Sequence, residues 1–172
     1  MYKKSILKII FFAFLLIYSG GSFAMKISST AFNNHGIIPA KHTCQGDNVS
    51  PNLHWKDLPH GTKSLALIMD DPDAPMSTWV HWVLYNIPHT TTELSENIKV
   101  LPAGTVSGLT SWDKSGYGGP CPPSGIHRYF FKLYALDTFL DLKGKVTGAT
   151  LQKAMHGHIL GSAELMGQYK KS

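Results

Sequence analysis

The chain of 172 residues carries 16 Lys and Arg against 11 Asp and Glu, a formal net charge of +5 at pH 7. Three of the lysines, Lys3, Lys4 and Lys8, fall in the first 24 residues, which hold no acid, so the other 148 residues carry only +2. With one arginine, Arg128, and scattered lysines, there is no dense basic stripe of the kind that grips nucleic acid.

At the N-terminus the lysines precede or interrupt an apolar run, Ile9 to Ile17, and Ser22-Phe23-Ala24 puts small residues at −3 and −1 of a cut after Ala24. A basic start, a short apolar core and a small-x-small site describe a secretory signal peptide. The run is too short to cross a bilayer, which takes about 20 residues. A retained anchor and a start at Met25 are the alternatives. Residues 1–24 are therefore set apart, and residues 25–172 are read as one exported domain, periplasmic or secreted, long enough to bury its own core.

Met25–Phe32 is expected to open the fold as a strand. Ser64–Met69 is an apolar run of buried-strand length. Val80–Ile87 is rich in Val, Trp and Tyr and stops at Pro88, and Tyr129–Leu136 is another aromatic strand. One helix is expected, capped by Thr147 or Thr150, with Leu151 and Met155 on one face and Gly157 at its end. A last strand covers Ile159–Tyr169. Turn-rich segments lie at Gly46–Pro51, Pro59–Gly61, Pro102–Gly108 and Ser115–Gly125. Sixteen Gly and ten Pro beside a single short helix point to a mostly β, sandwich-like fold.

Two cysteines in an exported chain permit one disulfide, Cys44 to Cys121; two buried thiols are the alternative. Such a bond would close a long loop and contribute about 4 kcal/mol in the chain-entropy model.

Two clusters carry candidate chemistry. In Asp70-Asp71-Pro72-Asp73-Ala74-Pro75 the prolines restrict the backbone around three carboxylates, and Trp79, His81 and Trp82 follow on a strand. Period-two alternation places His81 with Val83 and Tyr85, opposite Val80, Trp82 and Leu84. The second cluster runs from Gly118-Gly119-Pro120-Cys121-Pro122-Pro123 to His127-Arg128-Tyr129. Taken alone, His81 is more readily a satisfied structural histidine, and the Pro/Gly loop is equally a rigid turn. Together, exposed loop amides, two histidines and a tyrosine hydroxyl would suit a small anion, with Asp71 orienting one histidine. Asp71, Asp73, His81 and His127 could also ligate a metal, but no zinc spacing is present, nor any Gly-x-Ser-x-Gly elbow, dinucleotide loop or Walker sequence. No cofactor is implied. A hydrolase using His81 or His127 with Cys121 or water is a second reading, and a secreted interaction or inhibitor module a third. The protein partner is unidentified, and a homodimer remains open.

In this order, Asp71-Pro72-Asp73-Ala74-Pro75, Trp79, His81, Gly119-Pro120-Cys121-Pro122-Pro123 and Gly125-Ile126-His127-Arg128-Tyr129 resemble the phosphatidylethanolamine-binding protein family. The bacterial, Raf kinase inhibitor-like branch fits best. Cys44-Gln45-Gly46-Asp47-Asn48-Val49-Ser50-Pro51, Trp55 and Gly157-His158-Ile159-Leu160 extend the likeness from about Ser28 to Tyr169. The resemblance implies a β-sandwich with Greek-key connections and a few peripheral helices. It also implies a non-enzymatic binding protein whose small surface pocket takes a phosphate-type anion or phospholipid head group. Residue by residue it assigns Asp71, His81, Pro123, His127 and Tyr129 to that pocket and Trp79 to its wall; Asp73, Gly119 and Cys121 are further candidates for the pocket or its support. Beside the animal members of that family, a chain ending soon after Tyr169 is expected to be without the C-terminal helix that partly covers their pocket, and its site is expected to be more open. Kinase regulation, known for animal members, is not carried over.

Overall fold

The computed structural model describes residues 24–171; the signal-peptide expectation, apart from Ala24, lies outside the described residues. In chain order the elements are β1 (Lys26–Ser28), β2 (Gly36–Ile37), a 3-10 turn (Ala40–His42), β3 (Leu53–Lys56), β4 (Ser64–Asp71) and β5 (Trp79–Pro88). Then come β6 (Glu93–Leu94), β7 (Val106–Ser107), β8 (Ile126–Leu136), α1 (Gly148–Met155) and β9 (Ile159–Lys170). The larger sheet has the order β2-β9-β8-β4-β5-β7, the smaller one β1-β3-β6. β4 and β5 are neighbours, but β8 crosses over to the other edge of β4 and then pairs with β9. The mostly β sandwich expected from the residues is therefore what forms.

Coverage explains the sequence pattern. Between the sheets, Ile27, Leu53, Trp55 and Leu94 of the small sheet meet Leu65, Leu67, Met69, Trp82, Phe131 and Leu133 of the large one. On the far side of the large sheet, Ala66, Ile68, Val83 and Leu136 pack with Leu151 and Met155 of α1. β4 is thus buried on both faces along all eight residues, which is why it reads as a continuous apolar run rather than an alternation. The helix starts as expected: Thr147 Oγ1 accepts from Thr150 N at 3.2 Å.

Three expectations change. The opening strand stops at Ser28, because Ser29 Oγ accepts from Ala31 N at 3.1 Å and the Ser29 and Thr30 hydroxyls both bond Asn52 Oδ1, turning the chain away. β3 was not foreseen; at four residues it is too short to show a period. The face assigned to His81 is also corrected. Met69 pairs with Trp82 and Asp70 with Val80, so His81 is the extra residue of a β-bulge. The bulge resets the alternation. His81 stacks on Tyr129 of the inter-sheet side, ring centroids 5.2 Å apart, while Val83 and Tyr85 belong to the opposite cluster.

Candidate functional site

The strand ends converge beside the Pro-rich loop. Asp71 ends β4, Trp79 and His81 open β5, and His127 and Tyr129 lie near the start of β8 on the same sheet face. They enclose a cavity of about 210 Å³ whose rim is Pro75, Trp112, Pro122 and Pro123. Size alone does not mark it, since a groove beside β1 and β3 reaches about 400 Å³. Its chemistry does: the cavity gathers a carboxylate, two imidazoles and a phenol, all on side chains that are buried.

The two histidines have different anchors. His127 Nδ1 lies 2.7 Å from Asp71 Oδ2, so this nitrogen carries the proton and donates. The other oxygen of Asp71 accepts from Asp73 N at 2.9 Å, which fixes the carboxylate in the Pro-rich turn. His81 Nδ1 instead donates to Gly118 O at 2.7 Å, and Gly118 N returns a 2.9 Å bond to His81 O. Both tautomers are set with Nδ1 protonated, and Nε2 is the ring nitrogen left to act. Burial pushes the His81 pKa below the ordinary imidazole value, against the raising effect of the Gly118 carbonyl. His81 is therefore neutral at pH 7.

Burial, reinforced by the Asp71 charge, pushes the Tyr129 phenol far above its usual range, so it stays protonated. Its hydroxyl and the indole N–H of Trp79 are both buried and have no hydrogen-bond partner among the described residues. A buried polar group without a partner costs about 1–3 kcal/mol. Two such groups sit beside this one cavity.

The supporting residues fall into place separately. Asp73 does not line the cavity. It accepts from Arg128 N and Nε, both at 2.9 Å, and from Nη2 at 2.7 Å, clamping the Pro-rich turn to β8. The Arg128 guanidinium holds its pKa at about 2. Gly119 donates to Asn48 Oδ1 at 2.8 Å, and a Cβ there would lie 2.4 Å from His42 O, so no larger residue fits. Cys121 is bonded to Cys44 across 77 residues, Cα atoms 5.4 Å apart. That corrects the reading of Cys121 as a nucleophile, since a disulfide sulfur carries no thiolate. The disulfide and the Cys44 N to Pro120 O bond of 3.1 Å hold the wall of prolines in place.

Trp112 escaped the sequence reading. It reaches in from a turn-rich loop and meets His81 and Trp79 edge-on, at 5.0 and 5.4 Å between centroids. A Cβ on Gly118 would lie 2.5 Å from its ring, so the glycine makes room for the indole. Ser111-Trp112-Asp113 has no periodicity to betray this role.

The family model described as phosphatidylethanolamine-binding protein matches residues 28–170. A UPF0098 protein of Methanothermobacter thermautotrophicus is 51% identical over 150 residues, covering 86% of this chain and 99% of the relative. Another from Aquifex aeolicus is 44% identical over 160 residues, covering 90% and 94%. Among solved structures, a phosphatidylethanolamine-binding protein homolog from Chlamydia trachomatis shows a TM-score of 0.81 at 42% identity, covering 87% of this chain and 99% of its own. E. coli YbcL, described as a member of the mammalian family, gives 0.82 at 33% identity, covering 87% and 100%. By sequence along nearly all of the described residues, and by fold, this chain belongs to the phosphatidylethanolamine-binding protein family.

Proposed function

We propose that this protein is an exported, non-enzymatic binding protein whose cavity holds a phosphate-type anion, free or as the head of a larger molecule. The carrying observation is the convergence of two tautomer-fixed histidines and two buried, unpartnered donors, Tyr129 Oη and Trp79 Nε1, on one cavity of about 210 Å³. That space suits one tetrahedral anion and is smaller than the roughly 300–1,000 Å³ typical of sites for whole organic ligands. Asp71 fixes His127 and adds negative charge, so the site favours anions that bring a proton or charge a histidine. Neutral His81 supplies that proton site: an anion at Nε2 stabilises imidazolium, and binding takes up a proton. The disulfide supports export, because such bonds persist in oxidising compartments.

The Asp71–His127 pair also supports a second reading, a hydrolase in which His127 activates water. Calorimetric titration with phosphate and phosphoethanolamine, beside His81→Ala, tests the leading one. Saturable binding that the substitution weakens about tenfold or more, with the thermal transition kept, is the expected result. An unchanged Kd in His81→Ala overturns the assignment. Steady turnover of p-nitrophenyl phosphate, lost in His127→Ala, would establish the hydrolase instead.

A further inference from the structure

Trp112 and Cys121 are walls of two cavities. One is the anion cavity; the second, of about 510 Å³, is bounded also by Asn48, Thr110, Lys114, Ser115 and Tyr117. Its volume falls within the range of organic-ligand sites. No Asp or Glu lines it, and its only charged residue, Lys114, forms no ion pair among the described residues. The surrounding loop is well pinned. Gly116 N bonds Ser107 Oγ at 3.1 Å, Gly119 N bonds Asn48 Oδ1 at 2.8 Å, and Tyr117 Oη donates to His42 O at 2.7 Å. The cavity is thus a built feature with a stable floor.

The two volumes together pose a question of fit. The anion cavity is too small for the rest of an organic phosphate, and the adjoining cavity shares its Trp112 and Cys121 walls. We infer that the two cavities form one bipartite site for an elongated organophosphate that carries a second anionic group at its far end, met by Lys114. The inference rests on the anion reading of the first cavity. The indole of Trp112 is the divider over which the connecting chain passes, and Cys121 holds the loop on both sides. Hydroxyls of Thr110 and Ser115 offer further polar contact beside Lys114.

The test uses inorganic phosphate, alkanediol bisphosphates of two to eight methylenes, and alkyl monophosphates of matching length, each titrated into the wild-type protein and Lys114→Gln. Lys114 is exposed and unpaired, so the fold should tolerate the change. The expected result is one favoured spacing at which the bisphosphate binds about fivefold tighter than its monophosphate, the size of one charge contact near a surface. That advantage should vanish in Lys114→Gln, whose affinity for inorganic phosphate stays that of the wild type. If phosphate binds but no bisphosphate exceeds its monophosphate, or the advantage survives in Lys114→Gln, the bipartite site is overturned and the anion reading stands. If phosphate itself fails to bind, both fall.

Discussion

Asp70 and Asp71 are neighbours at the end of the same strand, yet they serve opposite faces of the sheet. Asp70 turns to the α1 side and takes Lys132 Nζ at 2.6 Å, leaving its Oδ1 without a partner among the described residues. Burial raises its pKa despite the lysine. Asp71 turns to the inter-sheet side, where His127 and the Asp73 amide engage both its oxygens at the mouth of a cavity. The two carboxylates are equally hidden, 2% and 4% exposed, so burial does not tell them apart. The partner does: a lysine closes an ion pair, whereas a histidine passes the influence of the carboxylate on to a second nitrogen that can meet a ligand.

The largest effect that would sharpen this contrast lies upstream on the same strand. Leu67→Ala, in the apolar half of β4, should cost about 2–5 kcal/mol, read from denaturant unfolding, while phosphate affinity of the folded protein stays constant. Next comes the direct comparison of the two acids. Asp71→Asn should weaken phosphate binding about tenfold by loosening His127. Asp70→Asn should cost about 1–2 kcal/mol of stability, discounted because Lys132 reaches water, and leave affinity alone. Equal affinity losses in the two variants would erase the distinction.

A smaller effect concerns protons. His81 has a lowered pKa, so the unfolded chain, near 6.5, binds its proton first. Its contribution to stability is present above about pH 6.5 and is lost as the pH falls toward its folded value. An anion at His81 works in the other direction, because it favours imidazolium. Affinity for sulfate, which does not titrate in this range, should therefore rise as pH falls from 7 to 5, measured by calorimetry. A flat profile would exclude His81 from the contact. Smallest of all is Asp73→Asn. The Asp73–Arg128 clamp is half exposed on the arginine side, so solvent screening leaves it only a small contribution to stability. With its pKa at about 2, Asp73 contributes above about pH 4 and loses that contribution as the pH falls through 2, visible in acid unfolding.

Much of this was legible in the residues. The runs at β4, β5, β8 and β9 carried their own length and composition, and the expected bounds fall within two or three residues of those observed. Asp71, His127 and Tyr129 stood out through the Pro-rich clusters and the family resemblance that ties the two together, and the structure brings them to one cavity. His81 was placed on the wrong face, since a bulge depends on the pairing partner and leaves no mark in alternation. The choice of His127 over His81 as the partner of Asp71 also depended on strand register, which puts Asp71 and His127 on one face at the same end of the sheet. Trp112 and the cavity beyond it arise from a turn-rich loop folding back 31 residues onto Val80, a contact that no local pattern encodes.

The central claim is that the Nε2 atoms of His81 and His127 face the same anion. Side-chain nitrogen NMR of the histidines during a phosphate titration tests it most directly. The account predicts that His81 and His127 shift together and saturate at one Kd, His81 toward imidazolium, while His158, held by Asp137 on the surface at 2.8 Å, stays still. Saturable binding that leaves both pocket histidines unmoved would contradict it.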